Sequence, residues 1–258
     1  MKKKVDLNCD IGEGFGAYHM DTDSEIIRCI TSANIACGFH ASDPLIMDQT
    51  VQIALHAGVG LGAHPGYPDL MGFGRRNLQA SPAEVQAYVT YQLGALHAFA
   101  RSRGGKLSHV KPHGAMYNMA AKDPSLARAI CTAIYQFDKN LILLGLSGSC
   151  MLTEAEKMGL SVAREVFADR AYESDGTLVA RTKPGAMIQE EKVAVTRVVR
   201  MVQEGRVQAV DGTDIAICAD SICVHGDSPK ALLFTQKIRT ALEDAGVQIV
   251  PLAEVVRE

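Results

Sequence analysis

The feature that most constrains this chain is the regular alternation of two local signals. Short apolar runs occur at Val5–Asn8, Thr31–Ala36, Gly60–Ala63, Ser108–Lys111, Leu141–Leu144, Ser161–Val166, Ile222–His225 and Gln248–Val250. A turn rich in Gly, Pro, His or Asp generally follows each run, and then a helical pattern. Runs that are apolar throughout are expected of strands covered on both faces. The helices announce their starts. Asp43-Pro44, Asp123-Pro124 and Ser228-Pro229 each set a capping oxygen before a proline at the first helical position. Ser81-Pro82-Ala83-Glu84 adds the glutamate of a capping box. Behind such starts, Val85, Val89, Leu93 and Leu96 share one helical face, as do Phe234, Ile238, Leu242 and Ala245. A third helix carries Val195, Val198, Val199 and Val202 and closes at Gly205. Strands alternating with helices predict a parallel sheet. Seven or eight such units within 258 residues predict an α/β fold, a TIM-like (β/α) barrel formed as one domain over 1–258.

Charge and composition narrow the partners. The net charge is -3 and the pI about 6.2, with no basic stripe, so nucleic acid is not an expected partner. Lys2, Lys3 and Lys4 are followed at once by Asp6, Asn8 and Asp10, which leaves no apolar core for a secretory leader. No apolar run is long enough for a bilayer. The 7 cysteines form no C-x-x-C pair, as expected of reduced thiols in the cytoplasm.

In a barrel, chemistry gathers where strands end and loops begin, and the polar residues of this chain concentrate there. At a period of two, Asp6, Asn8 and Asp10 share one side of the first strand, and Glu13 follows in a loop loosened by Gly12, Gly14 and Gly16. That glycine pattern has neither dinucleotide spacing nor a P-loop lysine. The second strand carries Asn34 and leads to His40, and the third ends at His64. A lone histidine is ordinarily a satisfied structural group, but these two stand at equivalent strand ends. Arg75 and Arg76 lie in a glycine-rich loop suited to anion capture. His109, Lys111 and His113 face one side of an extended segment, because Pro112 excludes a helix. Glu165 and Arg170 flank the sixth strand end, and His225 and Asp227 the seventh. Cys9 and Cys37 read as buried filler, and His56 and His97 as helix-surface or core residues.

These segments make the sequence recognisable. Asp6–Tyr18, Thr31–Pro44, Gly62–Arg76, His109–Asn118, Glu165–Tyr172 and Cys223–Asp227 resemble the LamB/YcsF family, in family order and over almost the whole chain. Ser42 stands where the family usually has Gly, and Met116 where it usually has Leu. The resemblance implies a barrel related to the glycoside hydrolase/deacetylase group. It also implies a role as the A component of an ATP-dependent 5-oxoprolinase, acting with B and C subunits. That enzyme turns 5-oxo-L-proline, ATP and water into L-glutamate, ADP and phosphate. The candidate catalytic residues are then Asp10, His40, His64, Lys111, His113 and Glu165. Asn8, Glu13, Asn34, Arg75, Arg76, Arg170, His225 and Asp227 are candidates for binding substrate or phosphate. Asp10, His40, His64, His113 and Glu165 all stay open as the base. Two other functions fit the same residues. One is a metal-dependent deacetylase or carbohydrate hydrolase, with a divalent ion on Asp10, His40, His64 and His113. The other is a carboxylate-binding module without catalysis.

Overall fold

The computed structural model describes residues 3–18, 23–224 and 231–256. Six parallel strands follow one another around a ring: β1 (Lys4–Ile11), β2 (Ser32–Ala36), β3 (Gly60–His64), β4 (Leu107–Val110), β5 (Ile142–Leu146) and β6 (Val162–Phe167). Next in the chain comes a short antiparallel hairpin, β7 (Arg206–Gln208) and β8 (Asp214–Ala216). Then β9 (Ser221–Val224) pairs with β6 on one side and β1 on the other, closing the ring. β10 (Gln248–Ile249) pairs only with the first residues of β1, at Lys4 and Val5. Seven strands therefore close the barrel, and the eighth expected strand is a two-residue extension beside β1. The hairpin was not expected, because its residues alternate charge with a single buried Val207 instead of forming an apolar run. Asp211-Gly212 at its tip, with Gly212 at φ 88°, is the local signal for it.

The helices are α1 (Asp23–Ile26), α2 (Pro44–His56), α3 (Pro82–Ser102), α4 (Gly114–Ala120), α5 (Pro124–Asp138), α6 (Cys150–Met158), α7 (Glu191–Glu204), α8 (Ala231–Asp244) and α9 (Leu252–Val255). The expected caps form. Asp43 accepts from Leu45 and Ile46, Asp123 from Ser125 and Leu126, and Ser81 and Glu84 complete a capping box. Ser228-Pro229 lies outside the described residues. The outward residues of β1, Val5, Leu7, Cys9 and Ile11, are buried in the main core with Val85, Val89, Leu93 and Leu96 of α3.

Inside the barrel the packing is unusual. TIM-type interiors are ordinarily filled by layers of branched apolar side chains. Here one side of the lumen is a hydrogen-bonded polar layer. Asp6 accepts from Thr31 Oγ1 (2.6 Å), Ser32 Oγ (2.7 Å) and Ser221. Asn8 donates to Ser221 Oγ (2.8 Å), and Asn34 donates to Asn8 Oδ1 (2.8 Å) and Asp10 Oδ1 (2.9 Å). His109 Nε2 lies 2.9 Å from Asn34 Oδ1. A Cβ at position 62 would collide with the His109 ring, so only glycine lets β3 pass this side chain. Burial drives Asp6 up to about 6 despite its three hydroxyl donors, and drives His109 down to about 3. Among the described residues, no helix is long and apolar enough to cross a membrane.

Candidate functional site

The polar layer opens into a cavity of about 990 Å³ at the C-terminal ends of the strands. Asp10, Glu13, His64, Arg75, Arg76, Lys111, His113, Tyr117, Phe167 and Arg170 are among its lining residues. Two groups of side chains form its floor.

The first is centred on Lys111, which follows β4 directly. Its backbone N–H donates to Ala63 O (2.9 Å), which carries the β3–β4 pairing one residue further and keeps the side chain inward. Lys111 Nζ is 2.9 Å from Asp10 Oδ1, 2.8 Å from Glu165 Oε1, 3.2 Å from Asn8 Oδ1 and 3.2 Å from Cys223 Sγ. Its side chain is 3% exposed. Burial opposes its charge, but the negative groups around it, Asp10 foremost, outweigh burial and hold its pKa above the usual lysine range. Tyr117 of α4 donates to Glu165 Oε2 at 2.6 Å, and burial beside that carboxylate raises the phenol well above its ordinary value.

The second group is Glu13, His40, His64 and His113, assembled by three loops. Asp43 both caps α2 and accepts from Gly16 N–H (2.8 Å), while Ser42 N–H donates to Gly14 O (2.8 Å). These bonds fasten the β1 loop to the β2 loop and bring Glu13 to His40, 3.5 Å apart. Ser42 takes a left-handed φ of 74° to do so. Gln92 of α3 holds Gly66 through both its N–H and its C=O, at 2.9 Å each. Gly74, at φ 61°, passes so close to His40 and His113 that a Cβ there would strike both. His40 and His113 stack with centroids 3.7 Å apart and an interplanar angle of 2°. His64 stands nearly perpendicular to both, and its Nε2 is 3.3 Å from Asp10 Oδ2. Burial, with Asp10 adding, raises the Glu13 carboxyl; burial and the neighbouring imidazoles hold His40 and His113 well below the usual histidine range.

The structure thus brings together Asp10, His40, His64, Lys111, His113, Glu165 and Glu13. Asn8 and Asn34 sit a layer lower, buried and bonded within the lumen, and do not line the cavity. Arg75 packs over the Phe73 ring at 4.8 Å, and Arg76 is ion-paired with Asp69. Arg170 is buried in the cavity wall with Nη2 donating to Val179 O (2.6 Å), and burial lowers its pKa to about 10. His225 and Asp227 lie outside the described residues. Cys9 and Cys37 are buried in the core, and burial pushes Cys37 up to about 12. His56 is exposed, and His97 packs edge-on against Phe137. Sequence reasoning missed Tyr117, Ser221 and Cys223 as neighbours of the site. Tyr117 sits in an apolar helical turn without distinguishing spacing. Ser221 and Cys223 could have been found by extending the period-two reading of Asp6 and Asn8 to β9.

The LamB/YcsF family pattern matches residues 5–257. The chain belongs to that family. A relative from Clostridium beijerinckii, named as the A component of 5-oxoprolinase, is 60% identical over 98% of this chain and 99% of its own length. A relative of the same name from Pyrococcus abyssi is 55% identical over 98% and 99%. The solved lactam utilization protein from Thermus thermophilus superposes with a TM-score of 0.90 at 47% identity, covering 96% of this chain and 99% of that one. A peptidoglycan deacetylase from Bacillus subtilis, at 14% identity and a TM-score of 0.50 over 98% and 90%, shares the fold alone.

Proposed function

We propose that this chain is the A component of a 5-oxoprolinase, acting as one barrel domain over residues 1–258 to open the lactam of 5-oxo-L-proline to L-glutamate. What carries the reading is near full-length identity of 54–60% to relatives that bear the name of that 5-oxoprolinase component. The cavity chemistry agrees with it. Opening a five-membered lactam requires a base for water, a cation for the carbonyl oxygen as it gains charge, and a proton for the departing nitrogen. Lys111 is the buried cation, held in position by Glu165, which Tyr117 fixes in turn. Asp10 takes the proton of the attacking water and returns it to the departing nitrogen. Arg170 and Arg75, on the cavity wall, are placed for the substrate carboxylate or a phosphoryl group. ATP serves the assembled enzyme by phosphorylating the lactam oxygen with release of ADP; water then adds to the activated carbon, the ring C–N bond breaks, and the resulting acyl phosphate is hydrolysed to L-glutamate and phosphate. The nucleotide chemistry is placed partly or wholly on B and C partner subunits, and the complex works in the cytosol.

The test is ATP-dependent glutamate release from 5-oxoproline, by the chain alone and with B and C subunits. Glutamate formed only by the mixture supports this assignment. A folded mixture that consumes ATP without releasing glutamate removes it.

A further inference from the structure

The hydrogen bonds around the histidine cluster leave a defect that a proton count exposes. His64 Nδ1 is 2.7 Å from the backbone carbonyl of Lys111, and His113 Nε2 is 2.9 Å from the carbonyl of Phe73. A carbonyl oxygen only accepts, so each of these ring nitrogens carries the hydrogen. In neutral imidazoles the opposite nitrogens, His64 Nε2 and His113 Nδ1, are then bare lone pairs. They face each other at 2.9 Å. Two acceptors at that distance repel unless a positive centre lies between or beside them. His40 is wholly buried, and among the described residues neither of its ring nitrogens has a hydrogen-bond partner. Glu13 Oε1 is likewise buried without a hydrogen bond. Unpartnered buried polar atoms are costly, and here two residues, Glu13 and His40, contribute them beside the facing lone pairs of His64 and His113.

We propose that Glu13, His40, His64 and His113 bind a divalent transition-metal ion. Four donor atoms, one from each residue, lie within 4.8 Å of one another. Glu13 Oε1 is 3.5 Å from His40 Nε2, 3.5 Å from His113 Nδ1 and 4.0 Å from His64 Nε2. Bonds of ~2.1 Å in a tetrahedral shell set donors about 3.4 Å apart, so the observed separations bracket that value. The two carbonyl contacts match the outer-shell pattern of metal-bound histidines, in which the second nitrogen donates to the backbone and fixes the tautomer. Three imidazoles and one carboxylate favour zinc, cobalt, iron or nickel over magnesium or calcium, which prefer all-oxygen shells. The ion fills the shared focus, relieves the facing lone pairs and gives Glu13 a partner. It also places a cation at the cavity floor, adjacent to Asp10. This inference stands on geometry and does not depend on the lactam reading.

The test uses the untagged full chain, stripped with chelator and titrated with zinc and, separately, cobalt. Metal content by mass spectrometry is expected at about one ion per chain, with a visible cobalt band of low-symmetry coordination and a rise in melting temperature. His40→Ala and Glu13→Gln are expected to weaken affinity by roughly a hundredfold or more, beyond the loss that an outer-shell partner gives. His97→Ala, remote from the cluster, is expected to bind as the parent does. Circular dichroism of the stripped variants separates lost ligation from lost folding, and Glu13→Gln keeps the side chain's shape. Metal far below one equivalent in the parent chain, or the same affinity in His40→Ala as in the parent, overturns the proposal. Stoichiometric metal in a chain that forms no glutamate with its partners leaves it standing.

Discussion

Ser42 shows how one side chain can strain a backbone for the sake of a site. Its φ of 74° lies where L side chains clash, yet the conformation is required for its N–H to reach Gly14. Left-handed backbone costs a non-glycine residue about 1–2 kcal/mol, and glycine's extra unfolded freedom costs about 0.5–1 kcal/mol. Ser42→Gly is therefore expected to stabilise the chain by about 0.5–1 kcal/mol, read from denaturant midpoints. Lys111 illustrates the opposite case. Removing one member of a buried pair strands its partner's charge, and Glu165 is wholly buried. Lys111→Met is expected to cost about 3–5 kcal/mol and abolish turnover. Adding Glu165→Gln should restore much of the stability, because a neutral amide replaces the stranded carboxylate, while turnover stays absent. Turnover recovering together with stability would show Lys111 to be structural.

At the scale of elements, helix starts do more than start helices. Asp43 and Asp123 make the same kind of cap on α2 and α5. Only Asp43 also accepts from Gly16, and so fastens the loop that carries Glu13. Either aspartate changed to Ala should cost about 1 kcal/mol in thermal or chemical melts. The Asp43→Ala chain should also lose activity in the assembled enzyme at least tenfold, because a loop displaced at the chemistry is expensive. Asp123→Ala should keep its activity. The strand and helix signals around these caps were legible because each depends on neighbours within a few residues. The β7–β8 hairpin was not, since its Arg206–Asp214 pairing leaves no apolar pattern for a periodicity to show.

The whole molecule is a barrel whose lumen holds ionisable groups, and that gives its stability a pH dependence. Asp6 is raised to about 6 from an ordinary 3.8, chiefly by burial. The folded chain therefore holds a proton that the unfolded chain has already lost. Its contribution is fully present below the unfolded value and is lost as pH rises through about 6, a swing of about 3 kcal/mol at 1.36 kcal/mol per unit. Melting temperature followed from pH 4 to pH 7 should fall less steeply in Asp6→Asn than in the parent chain. Equal slopes would mean that the three hydroxyl donors compensate the buried charge more completely.

The alternation of strands and helices, several helix starts and the polar character of the strand ends were determined by the sequence alone, because apolar period, caps and prolines act over short range. The same reasoning placed Asp10, His40, His64, Lys111, His113 and Glu165 near one another, since parallel strands bring their C-terminal ends to one face. Only the tertiary structure decided that seven strands close the ring, because closure depends on β9 meeting both β1 and β6. It alone separated Asn8 and Asn34 from the cavity, brought Tyr117 to Glu165 and Cys223 to Lys111, and turned Glu13 toward three histidines. Those relations depend on side-chain direction and on contacts between loops far apart in the chain. No local propensity encodes them.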